Sequence, residues 1–143
     1  MITKHIVKKQ ITINAPASAV WDALTNPEKT KKYFFHCKVY SSWKAGSPIV
    51  FKGKIFLIKK IELKGEILQV EKEKILKYTL HNEGSNSIST VTDKLSFENG
   101  KTILSITDDV GTGEGAQKRY DRSEKAWDKV LKGLKNVVES DFK

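Results

Sequence analysis

The 143-residue chain has a single cysteine, Cys37. That excludes an internal disulfide framework and a multi-cysteine zinc site. Three prolines and nine glycines are too few for a collagen-like or low-complexity chain. The longest apolar run is the four residues Ile55–Ile58, far short of a membrane span. The first nine residues hold no apolar stretch long enough for a signal peptide. With a lone thiol, this gives the expectation of a cytoplasmic protein. Acid is missing from one stretch: residues 29–60 carry nine lysines and no Asp or Glu. Arginine is nearly missing too, two against 24 lysines, and bidentate base reading leans on arginine. A nucleic-acid partner is therefore not expected.

What is present suits one folded domain spanning residues 1–143. The chain is 38% hydrophobic and 30% charged, with a net charge of +9. Residues 1–72 hold 14 lysines against five acidic residues, whereas residues 73–143 balance at 12 basic and 12 acidic. The excess belongs to one half, and it points to an acidic protein partner or an acidic amphipathic ligand.

The pattern predicts a strand over residues 4–13. A short helix runs from Pro16 to Leu24, opened by a proline whose missing N–H suits a helix start. A second, opened by Asn26-Pro27, runs to about Lys32. β-branched and aromatic residues predict strands over 48–58, 61–70, 75–82, 87–98 and 101–109. Helical spacing of Tyr120, Trp127, Val130, Leu131, Leu134, Val137 and Val138 predicts a long helix from Gly113 to Ser140, capped by Thr112. Three acid-first pairs, Glu114–Lys118, Asp121–Lys125 and Asp128–Lys132, support it. Gly133 inside this helix implies a close packing contact. The order of elements gives an α+β fold: an antiparallel sheet curled around one long helix.

Asn99-Gly100 is a two-residue hairpin signal that pairs Glu98 with Lys101. Phe97 then faces Thr102, Leu95 faces Leu104, Asp93 faces Ile106, and Val91 faces Asp108. These residues share one face, which reads as the buried one. Asp93 and Asp108 are thus two carboxylates on an apolar face, diagonally about 7–8 Å apart at the backbone. Burial and a like-charged neighbour raise a carboxyl pKa, so Asp93 is a candidate polar anchor or acid/base group.

Residues through most of the chain resemble a known superfamily. Ile13–Pro16, Val20–Leu24, Asn26-Pro27 and Tyr33-Phe34 are similar to the opening of START-like helix-grip (SRPBCC) domains. Gly65–Val70, Leu76–Tyr78, Thr102–Thr107 and Trp127–Leu134 continue the likeness. The branch it resembles most is named for the C-terminal domain of the heat-shock protein 90 ATPase activator. The resemblance implies two short helices after the first strand and a cavity between the curved sheet and the long helix. In the superfamily such cavities take apolar small molecules, and some members are cyclases or hydrolases. Asp93 departs from the pattern, where an apolar or aromatic residue is usual. The lining expected here is Tyr33, Phe34, Phe35, Trp43 and Phe51 near the mouth. Tyr78, Leu80, Asp93, Leu95, Ile106 and Asp108 would line it from the sheet, and Tyr120, Trp127 and Leu131 from the long helix.

Other motifs lead nowhere. Gly111–Ala116 fits a dinucleotide pattern, but no second parallel strand follows its helix, and Glu114 would repel a phosphate. His5, His36 and His81 share no metal-ligand spacing, and no Gly-x-Ser-x-Gly is present. No metal or cofactor is expected. Three functions stay open: a module holding a small apolar or amphipathic ligand, a protein-interaction module using the basic face, and an enzyme using cavity acid/base groups.

Overall fold

The computed structural model describes residues 5–55, 59–81 and 88–141. Residues 56–58, the tip of the second expected strand, and residues 82–87, around the break between the strands expected over 75–82 and 87–98, lie outside the described residues. Strand β1 (Ile6–Ile13) leads into helices α1 (Ala17–Thr25) and α2 (Pro27–Tyr33). Six strands follow: β2 (Cys37–Ser41), β3 (Pro48–Ile55), β4 (Lys59–Glu71), β5 (Ile75–His81), β6 (Ile88–Glu98) and β7 (Lys101–Asp109). Helix α3 (Ala116–Asp141) completes the described chain. The seven strands form one sheet in the order β1-β7-β6-β5-β4-β3-β2, antiparallel throughout.

Local chemistry accounts for the elements. Asn26 caps α2 by accepting the Glu28 N–H at 3.0 Å, and Pro27 occupies its first turn. Glu28 at the start of α2 and Lys31 and Lys32 at its end complement the helix dipole. Asn99 and Gly100, at φ 52° and 77°, make the tight turn between β6 and β7. The register is the one the turn dictates, from Glu98↔Lys101 through Asp93↔Ile106 to Val91↔Asp108. A bulge between Ile67 and Gln69 keeps both Ile67 and Val70 packed on the core side of β4.

Four expectations are corrected. The first is β2, which was not foreseen. It is a five-residue edge strand entered through Phe35 and His36, both in the left-handed region at φ 49° and 60°. The second concerns α3, which starts at Ala116 rather than Gly113, so Thr112 is not its cap. Residues Gly111, Gly113 and Gly115, all at positive φ, form a turn before it. Arg119 braces that turn by donating to the carbonyls of Val110, Thr112 and Glu114 at 2.9, 3.2 and 3.0 Å. The third is the set of acid-first helix pairs, none of which forms an ion pair among the described residues. Asp128 instead reaches Lys9 on β1 (3.0 Å), and Asp121 accepts from Gln117 (2.9 Å). Fourth, Phe97 is 55% exposed, because the helices do not cover the turn end of the β6–β7 hairpin.

The core lies between the inner face of the sheet and the buried stripe Trp127, Val130, Leu131, Leu134 and Val138 of α3. Val20, Trp21 and Ala23 of α1 close one end. Gly133 lets α2 approach α3: a Cβ there would stand 2.8 Å from the Cβ of Tyr33. The close contact inferred from the sequence is real, and its partner is a helix rather than the sheet. The lysine-rich segment obeys the strand alternation. Val39, Ile49 and Phe51 point inward, while Lys52, Lys54 and Lys60 stand exposed on the outer face of β3 and β4. No described helix is long and apolar enough to cross a membrane.

Candidate functional site

Seven elements converge on a pocket at the centre of the grip, α1 and β7 among them. Helix α2 and the residue after it supply Tyr33 and Phe34, β3 supplies Phe51, and β5 supplies Tyr78. Asp93 comes from β6, and Trp127 and Leu131 come from α3. All of these belong to the lining inferred from the sequence. Leu24, Leu104, Val130 and Leu134 complete it. The last two were legible, since they share the α3 stripe with Trp127 and Leu131 at helical spacing.

The rings fill most of the space. Phe34 and Phe51 are stacked at 4.6 Å and 28°. Trp127 lies edge-on to Phe34 at 6.1 Å, and Tyr78 is tilted against Phe51 at 6.1 Å. Such pairs contribute about 0.5–1.5 kcal/mol each beyond their burial. What remains open is about 20 Å³ for the centre of a water-sized sphere, room for about one water.

Asp93 gives this pocket its chemistry. It is 3% exposed. No described group hydrogen-bonds to its carboxyl. Burial, and then the charge of Asp108, push its pKa up to about 7. Its own charge in turn adds to burial in raising the Tyr33 and Tyr78 phenols above their ordinary range. The Tyr33 hydroxyl donates to the Ala23 carbonyl at 2.7 Å and so ties α2 to α1. Near neutral pH, Asp93 can therefore accept or release a proton, while both phenols stay protonated.

Asp108 has a different task. Its Oδ2 accepts from Ser123 Oγ at 2.6 Å and from Trp127 Nε1 at 3.0 Å. These bonds pull its pKa down, but burial outweighs them and the net direction is up. It fastens β7 to α3 and holds the Trp127 ring at the pocket wall, and it does not line the pocket itself.

The other inferred lining residues fall elsewhere. Phe35 stands outside, 39% exposed, with its ring edge-on to Phe34 at 5.3 Å. Trp43 sits half-buried in the β2–β3 connection, where its N–H donates to Ser41 Oγ. Leu80 and Ile106 are buried on the inner face but do not line this pocket. Leu95 faces a separate shallow groove beside Pro16, Lys74 and Phe97. Tyr120 lies toward the outer end of α3, edge-on to His5 at 6.2 Å, and Glu124 accepts from its hydroxyl and raises its pKa.

The same architecture recurs among known proteins. ChR145 from Cytophaga hutchinsonii, solved in solution, is 34% identical with a TM-score of 0.77, covering 99% of this chain and 97% of that one. Protein NE0264 from Nitrosomonas europaea is 19% identical with a TM-score of 0.80, over 95% of each chain. DynU16, from the dynemicin biosynthetic locus, is 16% identical with a TM-score of 0.79, over 97% of this chain and 49% of that one. At such identities the last two show a shared fold alone. A search of the curated proteins finds no match. The model of the family described as "Activator of Hsp90 ATPase homolog 1-like protein" matches residues 14–139. With that match across a sheet gripping a long helix, the chain belongs to the family of Activator of Hsp90 ATPase homolog 1-like proteins.

Proposed function

We propose that this chain is a binding module that holds a small amphipathic ligand between the sheet and α3, with Asp93 as the polar anchor. One observation carries this reading: a carboxyl, 3% exposed and with no hydrogen-bond partner among the described residues, set into a wall of aromatic rings. Burying such a group without a partner costs about 1–3 kcal/mol or more, and a site for a ligand's polar end explains why it is kept. The closed pocket holds about one water, so a larger ligand enters by displacing a ring. Phe34 is the movable one. It ends α2 with a non-helical backbone and is followed by Phe35 and His36 in the left-handed region. Each such residue stores about 1–2 kcal/mol of strain, which a swing of this segment releases.

Native mass spectrometry of the purified protein tests the reading, together with titration by the neutral fluorescent amphiphile N-phenyl-1-naphthylamine. A co-purified small molecule, or saturable probe binding weakened in Asp93→Asn, supports it. An empty protein that ignores the probe overturns it. The buried Cys37 thiol, its pKa raised by burial, plays no part in this chemistry and suits the reducing interior of a cell.

A second reading rests on the outer face, where the exposed Lys52, Lys54 and Lys60 suit an acidic protein surface. Binding to such a partner would fall steeply with salt.

A further inference from the structure

The interior carries a charge sign opposite to that of the whole chain. The protein has a net charge of +9, yet the buried charged side chains among the described residues are Asp93 and Asp108, both acidic. The inner face of β1 does present a lysine, Lys9, but it is held at the rim by Asp128 (3.0 Å) and Glu124 (3.9 Å) of α3. Among the described residues no donor reaches the Asp93 carboxyl. The Tyr33 hydroxyl, which stands near it, is spent on the Ala23 carbonyl.

The rings add to the same sign. Phe34, Phe51, Tyr78 and Trp127 line the space, and an aromatic face carries the negative end of its quadrupole, so that a cation within about 6 Å of one is attracted to it. The free space also sets a size. About 20 Å³ fits a group as large as a water, which an ammonium is and a ring or carboxylate-bearing head is not.

From this arrangement we infer that the ligand's head group is a small cation, an alkylammonium, paired with Asp93 and flanked by aromatic rings while its apolar tail leaves past Phe34 and Phe35. The inference rests on reading the pocket as a ligand site, and it names the class of ligand. It also reverses the expectation that the basic face selects an acidic ligand. A carboxylate head would meet the Asp93 carboxyl, with the charge of Asp108 adding to its repulsion, in a space offering no buried cation among the described residues. The groups facing Asp93 are Tyr78 from β5, Asp108 from β7 and Tyr33 from α2, and none of them supplies positive charge.

Three probes with one tail and different heads test it: hexylamine, hexanol and hexanoate, titrated into the full-length protein at pH 8. Tryptophan fluorescence and backbone amide NMR shifts report occupancy. Hexylammonium is expected to bind at least tenfold tighter than hexanol, and hexanoate not at all. Moving from pH 6 to pH 8 strengthens hexylammonium binding severalfold, because Asp93 becomes ionised, and leaves hexanol unchanged. In Asp93→Asn the preference for the amine disappears. The wild-type series stands by itself should that variant fold poorly. Hexanol or hexanoate binding as tightly as hexylammonium overturns the cationic head while leaving the ligand module intact. Binding of none of the three, in a protein that also ignores the neutral fluorescent probe, overturns both.

Discussion

Replacing Asp93 by asparagine should change how stability depends on pH, whether or not a ligand is present. In the fold the Asp93 carboxyl has a pKa of about 7, against about 3.9 in an unfolded chain. Below about pH 4 both states are protonated and the site costs nothing. Between pH 4 and 7 the unfolded chain gives up its proton while the fold retains it, so stability falls as pH rises. Above pH 7 the full cost of burying the carboxylate is present and stays constant. At 1.36 kcal/mol per pKa unit, the gap amounts to about 4 kcal/mol, an order-of-magnitude figure. Asparagine keeps the shape and loses the titration. Asp108 is shifted in the same direction but is common to both proteins, so its contribution largely cancels. Urea denaturation of the two proteins from pH 4.5 to 8.5 should show the variant gaining on the wild type by roughly 3–4 kcal/mol across that range. A carboxyl carbon NMR titration of Asp93 gives an independent midpoint near 7. If the stability difference is flat with pH, Asp93 is not a buried titrating carboxyl, and the anchor argument goes with it.

Other perturbations test the frame around the pocket. Gly133→Ala places a Cβ 2.8 Å from the Tyr33 Cβ, and Tyr33 is pinned by its bond to Ala23. Overpacking of about 1–3 kcal/mol outweighs the roughly 1 kcal/mol gain in helix propensity, so thermal denaturation should show a net loss. Arg119→Ala removes three bonds from the glycine turn before α3 and should cost about 1–2 kcal/mol, with faster amide exchange over residues 111–116. Leu131→Ala should destabilise by about 2–5 kcal/mol and, by enlarging the pocket, tighten binding of N-phenyl-1-naphthylamine. A variant that loses stability without gaining affinity would mean that Leu131 does not face the ligand.

The parts legible in the sequence are those fixed by local rules. Asn99-Gly100 dictates a turn type, the turn dictates the register, and the register puts Asp93 and Asp108 on the inner face. Helical spacing likewise identified the stripe of α3. Alternation fixes which face a residue takes but not whether anything covers that face, and Phe97 is exposed for that reason. Strand β2 was missed because a five-residue edge strand carries little periodicity, and nothing in the residue types of Phe35 and His36 announces a left-handed backbone. The split in roles between the two aspartates depends on Ser123 and Trp127 arriving from a distant helix. Sequence spacing has no access to that, nor to how tightly the rings fill the pocket.

The pairing of β1 with β7 also bears on the timing of folding. Thr102 Oγ donates to the Ala15 carbonyl across 87 positions, and Val7 pairs with Asp108, so the first strand finds its neighbour only after all the other strands have been made. Loop-closure entropy must be met before those contacts form, which makes closure slow compared with the β6–β7 hairpin. During synthesis β1 precedes β7 and has to wait for it, while α3, which seals the pocket, follows both. The site is therefore assembled only once α3 has been made, and any ligand it carries must be taken up after that.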